Sequence, residues 1–595
     1  MLCQVSPDRH RLNQFAMFGV LLCLVPAVGR AQGTPSSQDP AAQQVSADEA
    51  LEYSKRIGPP FPNCDGYGDP NSHGDGMTKE ALQLGIFISS GNRRLSIPSL
   101  GRSGILACSL ALAQLERSQP GYWMRRVSLL RARALHRIAD GDPKGALADL
   151  DAADAAAARP NDPYYRRSLK LGIDLLRALA LRRSGNLQDA ETLALSASDS
   201  RPFSRQTAAA ALAVIGPDAD FKARELLLRR VSQLDPNVTG ELFDETFEDR
   251  QYAKAIDLYG ALHPPVKAGD EPMQFRQRIL LEQDNRAAAV RFWITACGEK
   301  AYALAALGRA QDARAALAEA EARLAAATPA PPPLPPEASD DQRLRHAVIE
   351  QTNLKIQTTV PPVLGIWAGM TEARLLLAED KVREAVERFH SIGKLPPSWA
   401  TIDFLEAAAP RLPPEQRPNL PSWRIQLRVA QRTTDPDNEL QAIARSLPEA
   451  ETPQRVPAAH HSNWLYTVNG YEEKQIAGTS SLTVKYRDVD TTEAMSQEAA
   501  LLRAAELGER SGKKAMLVTG MRDIEHTIVN TMYGRPVASI PTGYETDMDV
   551  AFVDPADIAT SAPAESWRLI DVAAVRTQLA DLYRPGDAAA PGAAP

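Results

Sequence analysis

Along most of this chain the apolar positions fall into helical runs broken by short polar turns, and the runs repeat. Ala180 to Ala190 and Leu304 to Ala313 share one frame: a helical run, a turn glycine (Gly185, Gly308), then an alanine five residues later (Ala190, Ala313). The frame recurs at Gly141 and Ala146, at Arg250 and Ala255, at Asp380 and Ala385, and more loosely at Asp218 and Ala223. Four residues after the alanine stand Leu150, Ala194, Tyr259, Leu317 and Phe389; seven after it stand Ala153, Ala197, Leu262, Ala320 and Ile392. Pro160, Pro202, Pro236 and Pro397 close the units. Small residues let two helices approach where they cross, and a larger one fills the groove against the next pair. Glycine ends a helix in a left-handed cap, and proline stops the following helix. One pair cannot bury its apolar face alone, so neighbours must stack.

The small-large-small pattern, with a Gly185 to Asp218 to Arg250 spacing close to about 34 residues, resembles the tetratricopeptide-repeat family. The resemblance implies a superhelical array of helix-turn-helix units whose concave groove holds a peptide or protein segment. Arg250 and Asp380 stand where the family has glycine, and the spacing to Gly308 and Asp380 is uneven, so the repeats are degenerate. The array is expected over residues 77–328, a proline-rich extended spacer over 329–340, and a second helical block over 341–450. Pro410 to Pro421 repeats the spacer's composition more mildly.

Near Pro457 the period changes. Trp464–Val468, Thr479–Arg487, Ala515–Thr519 and Thr546–Val553 read as strands, with Leu482, Val484 and Tyr486 on one face and Met548, Val550 and Phe552 alternating with Asp547, Asp549 and Ala551. Thr491–Ser511 reads as a helix capped by Thr491 or Thr492 and ended by Gly512. A small α/β unit is therefore expected over 457–556, one helix against a mostly antiparallel sheet. A helix over 557–583 and a disordered tail over 584–595 follow it. Gly470-Tyr471 before a polar strand, then Leu501 to Leu507 (LLRAAEL) before another strand, resembles an uncharacterised family of small bacterial envelope lipoproteins. That resemblance implies an envelope location and brings no catalytic residues. The chain departs from it by lacking a lipid-attachment signal and by carrying a long array in front. The expected fold class is thus mostly α, a helix-turn-helix array with a small C-terminal α/β domain.

Composition adds a compartment. At 595 residues the chain exceeds one core, at about 150 residues per domain. Apolar residues at 44% permit folding, while aromatics at 6% and abundant alanine favour closely packed helices. A net charge of -7 without a Lys/Arg run excludes a general nucleic-acid binder. Arg9 and Arg11, the apolar run Phe15 to Val28 and the small-residue end Gly29-Arg30-Ala31 follow the order of a secretory signal peptide over 1–31, with cleavage after Ala31. The run falls short of the ~20 residues of a bilayer span, though a retained anchor is the alternative. No later segment is apolar enough to cross, so an exported, periplasmic or envelope-associated protein is expected. Residues 32–76 form its disordered or loop-rich lead.

Chemistry is sparse. An oxidising compartment allows one disulfide among Cys64, Cys108 and Cys297, and Cys64–Cys108 is the pair that would tether the loop Pro60 to Gly76. The alternative makes Cys108 and Cys297 small apolar helix residues. Gly512-Lys513-Lys514 lacks the spacing of a phosphate loop and reads as a helix end. Glu545, Asp547 and Asp549 alternate along a strand; a divalent cation is one reading and the solvated face of an edge strand the favoured one. His460-His461 reads as a linker, Glu525-His526 lacks the second histidine of a zinc protease, and no nucleophile elbow or dinucleotide fingerprint occurs. No catalytic, metal or cofactor residue is assigned. The expected function is an exported protein-interaction scaffold. The alternatives are an envelope enzyme positioning a peptidoglycan or protein substrate, and a structural part of an envelope assembly.

Overall fold

A computed structural model of the protein describes residues 58–583 apart from residue 69, 71–76, 78–79, 84–85, 90–99, 265–274, 394–397, 432–435, 452–460, 463–467, 477–478, 480, 489–490 and 533–534. The expected signal peptide, residues 32–57 of the lead and the tail 584–595 lie outside the described residues. Within them the protein is mostly α, a series of helical hairpins with a small α/β unit toward the C-terminal end.

The described chain opens on α1 (Pro60–Cys64), which is not loose: Phe61, Cys64 and Tyr67 are buried. β1 (Glu80–Gln83) and β2 (Ile86–Ser89) pair antiparallel where the helical array was expected to have begun. Helices run from α2 (Arg102–Ser118) onward, and then come as hairpins. α3 (Trp123–Ala139) packs with α4 (Pro143–Ala156). After a short α5 (Pro163–Arg167), α6 (Leu169–Arg183) packs with α7 (Leu187–Ser200), and α8 (Arg205–Ile215) with α9 (Phe221–Leu234). α10 (Thr239–Glu248) pairs with α11 (Tyr252–Tyr259), and α12 (Phe275–Ala306) with α13 (Ala310–Ala326). Beyond α14 (Asp340–Thr359), α15 (Pro361–Ala378) pairs with α16 (Val382–Ser391).

The turn is the same object at Gly141, Gly185, Arg250, Gly308 and Asp380, whose φ values are 82°, 86°, 62°, 76° and 62°. In each, the N–H of that residue donates three positions back and the N–H of the next donates five back, as from Asn186 to the Leu181 carbonyl and from Lys381 to the Leu376 carbonyl. This double bond pattern closes the first helix and launches the second. The alanines five residues on, Ala146, Ala190, Ala255, Ala313 and Ala385, are buried at the helix crossing. The α8–α9 turn departs from the frame: its left-handed residue is Gly216, not Asp218, and Asp220 caps α9 by accepting from the Lys222 N–H.

The helices after the spacer do not stand apart. α15 packs against α12 so closely that a Cβ at Gly298 would lie 2.2 Å from Trp367 Cγ. α17 (Trp399–Ala408) and α18 (Leu420–Gln431) follow, and α19 (Pro436–Ser446) folds back on α3 and α8. Leu440, Ile443, Ala444 and Leu447, at i, i+3, i+4 and i+7, enter the core formed by Val127, Leu176 and Ala211. That part of the face made by the first helices of the hairpins is filled by the chain itself.

The α/β unit is an antiparallel sheet in the order β3 (His461–Ser462), β4 (Val468–Gln475), β5 (Ser481–Asp488), β7 (Arg535–Val553), β6 (Ala515–Met532), β8 (Ile570–Asp571). α20 (Glu493–Arg510) covers one face, meeting Val484, Tyr486, Met548 and Val550. Thr492 caps it by accepting from the Met495 N–H, and Gly512 ends it at φ 68°. β6 and β7 are far longer than the strands expected at 515–519 and 546–553, because they continue past β5 and β8 as a two-stranded hairpin. The single helix expected over 557–583 is instead α21 (Pro555–Ser561), a 3-10 turn (Pro563–Arg568), β8 and α22 (Val572–Leu579). Pro563, with no N–H to donate and a ring that clashes with the preceding turn, stops α21. No helix among the described residues is long and apolar enough to cross a membrane.

Candidate functional site

The residues singled out in the sequence are mostly tied into the fold. Cys64 and Cys108 form a disulfide with Cα atoms 4.6 Å apart, joining α1 to α2. Beside it the buried Asp65 carboxylate accepts from Arg125 at 3.0 Å and from the Ser128 hydroxyl at 2.9 Å. Cys297 is free and buried, 3.0 Å from the Tyr259 hydroxyl, and burial pushes its thiol pKa up, away from the reactive thiolate.

β7 is not an edge strand; it lies between β5 and β6, and its acidic face is paired across the sheet. Glu545 meets Lys485 at 2.8 Å and His526 at 3.0 Å. Burial pushes the Glu545 carboxyl up, but its His526 and Lys485 hydrogen bonds outweigh this and hold it at about 2. Asp547 lies 3.4 Å from Lys485, and Asp549 accepts from the Thr483 hydroxyl at 2.6 Å. No group of three or more His, Cys, Asp or Glu among the described residues is placed to hold a metal ion. Lys513, after the Gly512 cap, pairs with Asp554 at 2.6 Å. His460 lies outside the described residues and His461 begins β3; Glu525 neighbours His526 on β6.

Polar clusters bind the α/β unit to the hairpins, one of them around the buried Arg568, which donates to the Ser232 and Val518 carbonyls. Arg167 and Arg201, at the ends of α5 and α7, meet Glu451 and Glu498, and all four are buried. Arg201 bonds Glu498 at 2.8 and 2.9 Å and Glu451 at 2.9 Å. Arg167 forms ion pairs with Glu451, at 2.9 Å, and with Glu498, and donates to the Tyr583 hydroxyl at 2.9 Å. Two guanidinium groups thus face two carboxylates in a charge-balanced cluster. Arg205, at the start of α8, reaches Asp235, Glu493 and Asp523 at 3.1, 2.8 and 2.8 Å. Burial pushes the Asp523 carboxyl up to about 6 despite Arg205. These groups are spent on holding the molecule together.

A different arrangement lies on α10 and α12, the first helices of their hairpins. The run Glu241 to Asp249 places Asp244 and Glu248 one turn apart on α10. Glu299 arrives from α12 and hydrogen-bonds Asp244. The Trp399 side chain, from the start of α17, hydrogen-bonds Glu248. Asp244 and Glu248 are exposed, and Glu299 is half-buried. Lost hydration, then the charges of Glu248 and Glu241, push Asp244 up to about 7. Lost hydration and Glu245 do the same for Glu248, also to about 7. Burial, then Asp244 and Glu248, raise Glu299, whose Oε2 accepts no hydrogen bond. Among the described residues no Lys or Arg lies within ion-pair distance of Asp244, Glu248 or Glu299. The arrangement attracts cationic groups and can hold a proton between two carboxyls near neutrality.

The sequence reading missed these three residues. The acid-rich turn of α10 was a usable signal, whereas the approach of Glu299 was not, since it follows from the packing of two hairpins. No protein-family model, no curated protein and no solved structure matches the chain.

Proposed function

We propose that the protein is an exported interaction scaffold of the bacterial envelope that holds a peptide or protein segment against the first helices of its hairpins. The observation that carries this reading is the carboxyl cluster Asp244, Glu248 and Glu299 on those helices, where α19 does not cover it and where no Lys or Arg among the described residues comes within ion-pair distance. Like charges set this close repel, and a cation placed among them relieves the repulsion. A cluster with no directly paired cation among the described residues fits a ligand that brings its own, so the bound segment carries Lys or Arg. The hairpin frame resembling tetratricopeptide repeats supports the general use. The signal-like pattern of residues 9–31 and the Cys64–Cys108 disulfide support export, because disulfides persist in oxidising compartments.

The test is site-specific photo-crosslinking in the envelope of the producing cell, with the crosslinker at Glu248. A discrete protein adduct is expected, and it should disappear when Asp244 and Glu299 are both changed to Lys. An adduct-free Glu248 probe, or adducts indifferent to those changes, would sink the reading.

A second reading rests on the shared proton. A carboxyl pair titrating near pH 7 is also what acid–base hydrolysis of a peptidoglycan or protein substrate requires. The same purified protein decides between them: turnover of cell-wall or protein substrate, abolished by Asp244→Asn, belongs to an enzyme and not to a scaffold.

A further inference from the structure

The spacer between α13 and α14 has a conformation dictated by its sequence. Thr328, Ala330, Pro331, Pro332, Leu334 and Pro335 each precede a proline, which bars them from helical backbone and leaves β or polyproline II. The prolines fix their own φ near about −65°. Residues 328–335 accordingly enter no helix or strand, and a proline run of this kind favours polyproline II, an extended left-handed helix of three residues per turn.

Both ends of this strap are tied down. The Asn353 side-chain amide donates to the Pro329 carbonyl at 2.8 Å. At the other end the Ala338 N–H donates to the Pro335 carbonyl at 3.1 Å, Ala338 is buried, and Ser339 and Gln342 cap α14 reciprocally. Asn353 stands far enough along α14 from Asp340 that the ties are about 20 Å apart at about 1.5 Å per residue. About seven polyproline residues at about 3.1 Å each would cover that distance, and the strap runs from 329 to 339. Between the ties exposure is nearly continuous. Thr328 and Pro331 are half-buried, whereas Pro329, Ala330 and everything from Pro332 to Glu337 are exposed. The strap leans on the protein at Pro331. The edges carrying Pro332 with Pro335, and Pro333 with Pro336, face water, and Leu334 between them is 41% exposed.

We propose that this strap is a docking ligand, presented to the aromatic-lined groove of a partner protein that reads polyproline II. Such grooves take two neighbouring proline edges, the two this strap turns outward. A polyproline helix is preformed, and one tied at both ends loses little further freedom on binding. The strap lies apart from the carboxyl cluster in the chain and does not depend on it, so the two readings stand or fall separately.

The experiment titrates fluorescently labelled WW, SH3 and EVH1 domains, three readers of this conformation, with the full chain and follows anisotropy. A four-site variant carries Pro332→Ala, Pro333→Ala, Pro335→Ala and Pro336→Ala. Saturable binding by at least one domain is expected, weakened tenfold or more in the variant, with both proteins melting at the same temperature. If the four-site variant melts early, Pro333→Ala with Pro336→Ala replaces it under the same criteria. Failure of all three domains to bind, or binding that survives the substitutions, overturns the proposal.

Discussion

Asp244 and Glu299 share a hydrogen bond that needs one proton between them, and no described cation offsets the charge that appears when the proton leaves. The sign of the resulting pH dependence follows directly. A carboxyl whose folded pKa stands above its ordinary value near about 4 keeps its proton in the native state where the unfolded chain has released it. Its stabilising contribution is complete below about pH 4 and is lost as pH rises through about 7, the value reached by Asp244 and Glu248. Asp244→Asn keeps a hydrogen-bond donor for Glu299 and removes one of the charges. At pH 8 the variant should melt above the wild type by on the order of 1–2 °C for a chain of this size, and at pH 4.5 the two should coincide. Calorimetric scans at both values check this, and a difference that does not change with pH would dissolve the pair. Half of this site was legible in the sequence, as the carboxylates crowded between Glu241 and Asp249. The other half was not, because the meeting of α10 with α12 depends on how hairpins stack and not on any local pattern.

The hairpin turn is the element the sequence described best, and Arg250 and Asp380 show why. A helical run, a left-handed residue and a buried alanine five positions on are local requirements, so they leave a local trace even where glycine is missing. They are the only residues other than glycine with positive φ among those described. A side chain in that conformation costs roughly 1–2 kcal/mol, part of which glycine returns through the freedom it loses on folding. Asp380 forms only an exposed contact with Arg411, at 3.5 Å, of a kind worth little. Asp380→Gly should therefore raise stability by about 0.5 kcal/mol, and the β-branched Asp380→Val should lower it by about 1–2 kcal/mol. Urea midpoints measure both; equal midpoints for the two variants would remove the left-handed turn from this hairpin. Arg250 is the less clean position, since it also bonds Glu406 at 2.5 Å. The C-terminal elements were less legible for the converse reason. β6 and β7 extend through Pro536 and Pro541, residues that argue against a strand when read alone. The helix expected over 557–583 ignored Pro563, which breaks it.

At the scale of the whole molecule the hairpins and the α/β unit are joined through Arg167, Arg201, Glu451, Glu498 and Tyr583, drawn from segments spread over most of the chain. No sequence window contains this cluster, and each residue alone reads as a surface charge. Its energetics differ from those of a surface ion pair. Burying four charges costs hydration that their attraction only roughly offsets, so the intact cluster adds little net stability while a broken one is expensive. Arg201→Met leaves Glu451 and Glu498 facing Arg167 alone, and this should cost about 3–5 kcal/mol. Adding Glu498→Gln restores balance between Arg167 and Glu451, so the double variant should regain more than half of that loss. A coupling of this size, read from denaturation of the wild type, the two single variants and the double, is what neighbours in one network produce. The single Arg201→Met variant should also open α20 to protease before the hairpins themselves unfold, because the cluster ties that helix, through Glu498, to α5 and α7. Additive single and double variants, or proteolysis that begins elsewhere, would mean that the two parts are held by other contacts, with Arg205 and its three carboxylates the next to test.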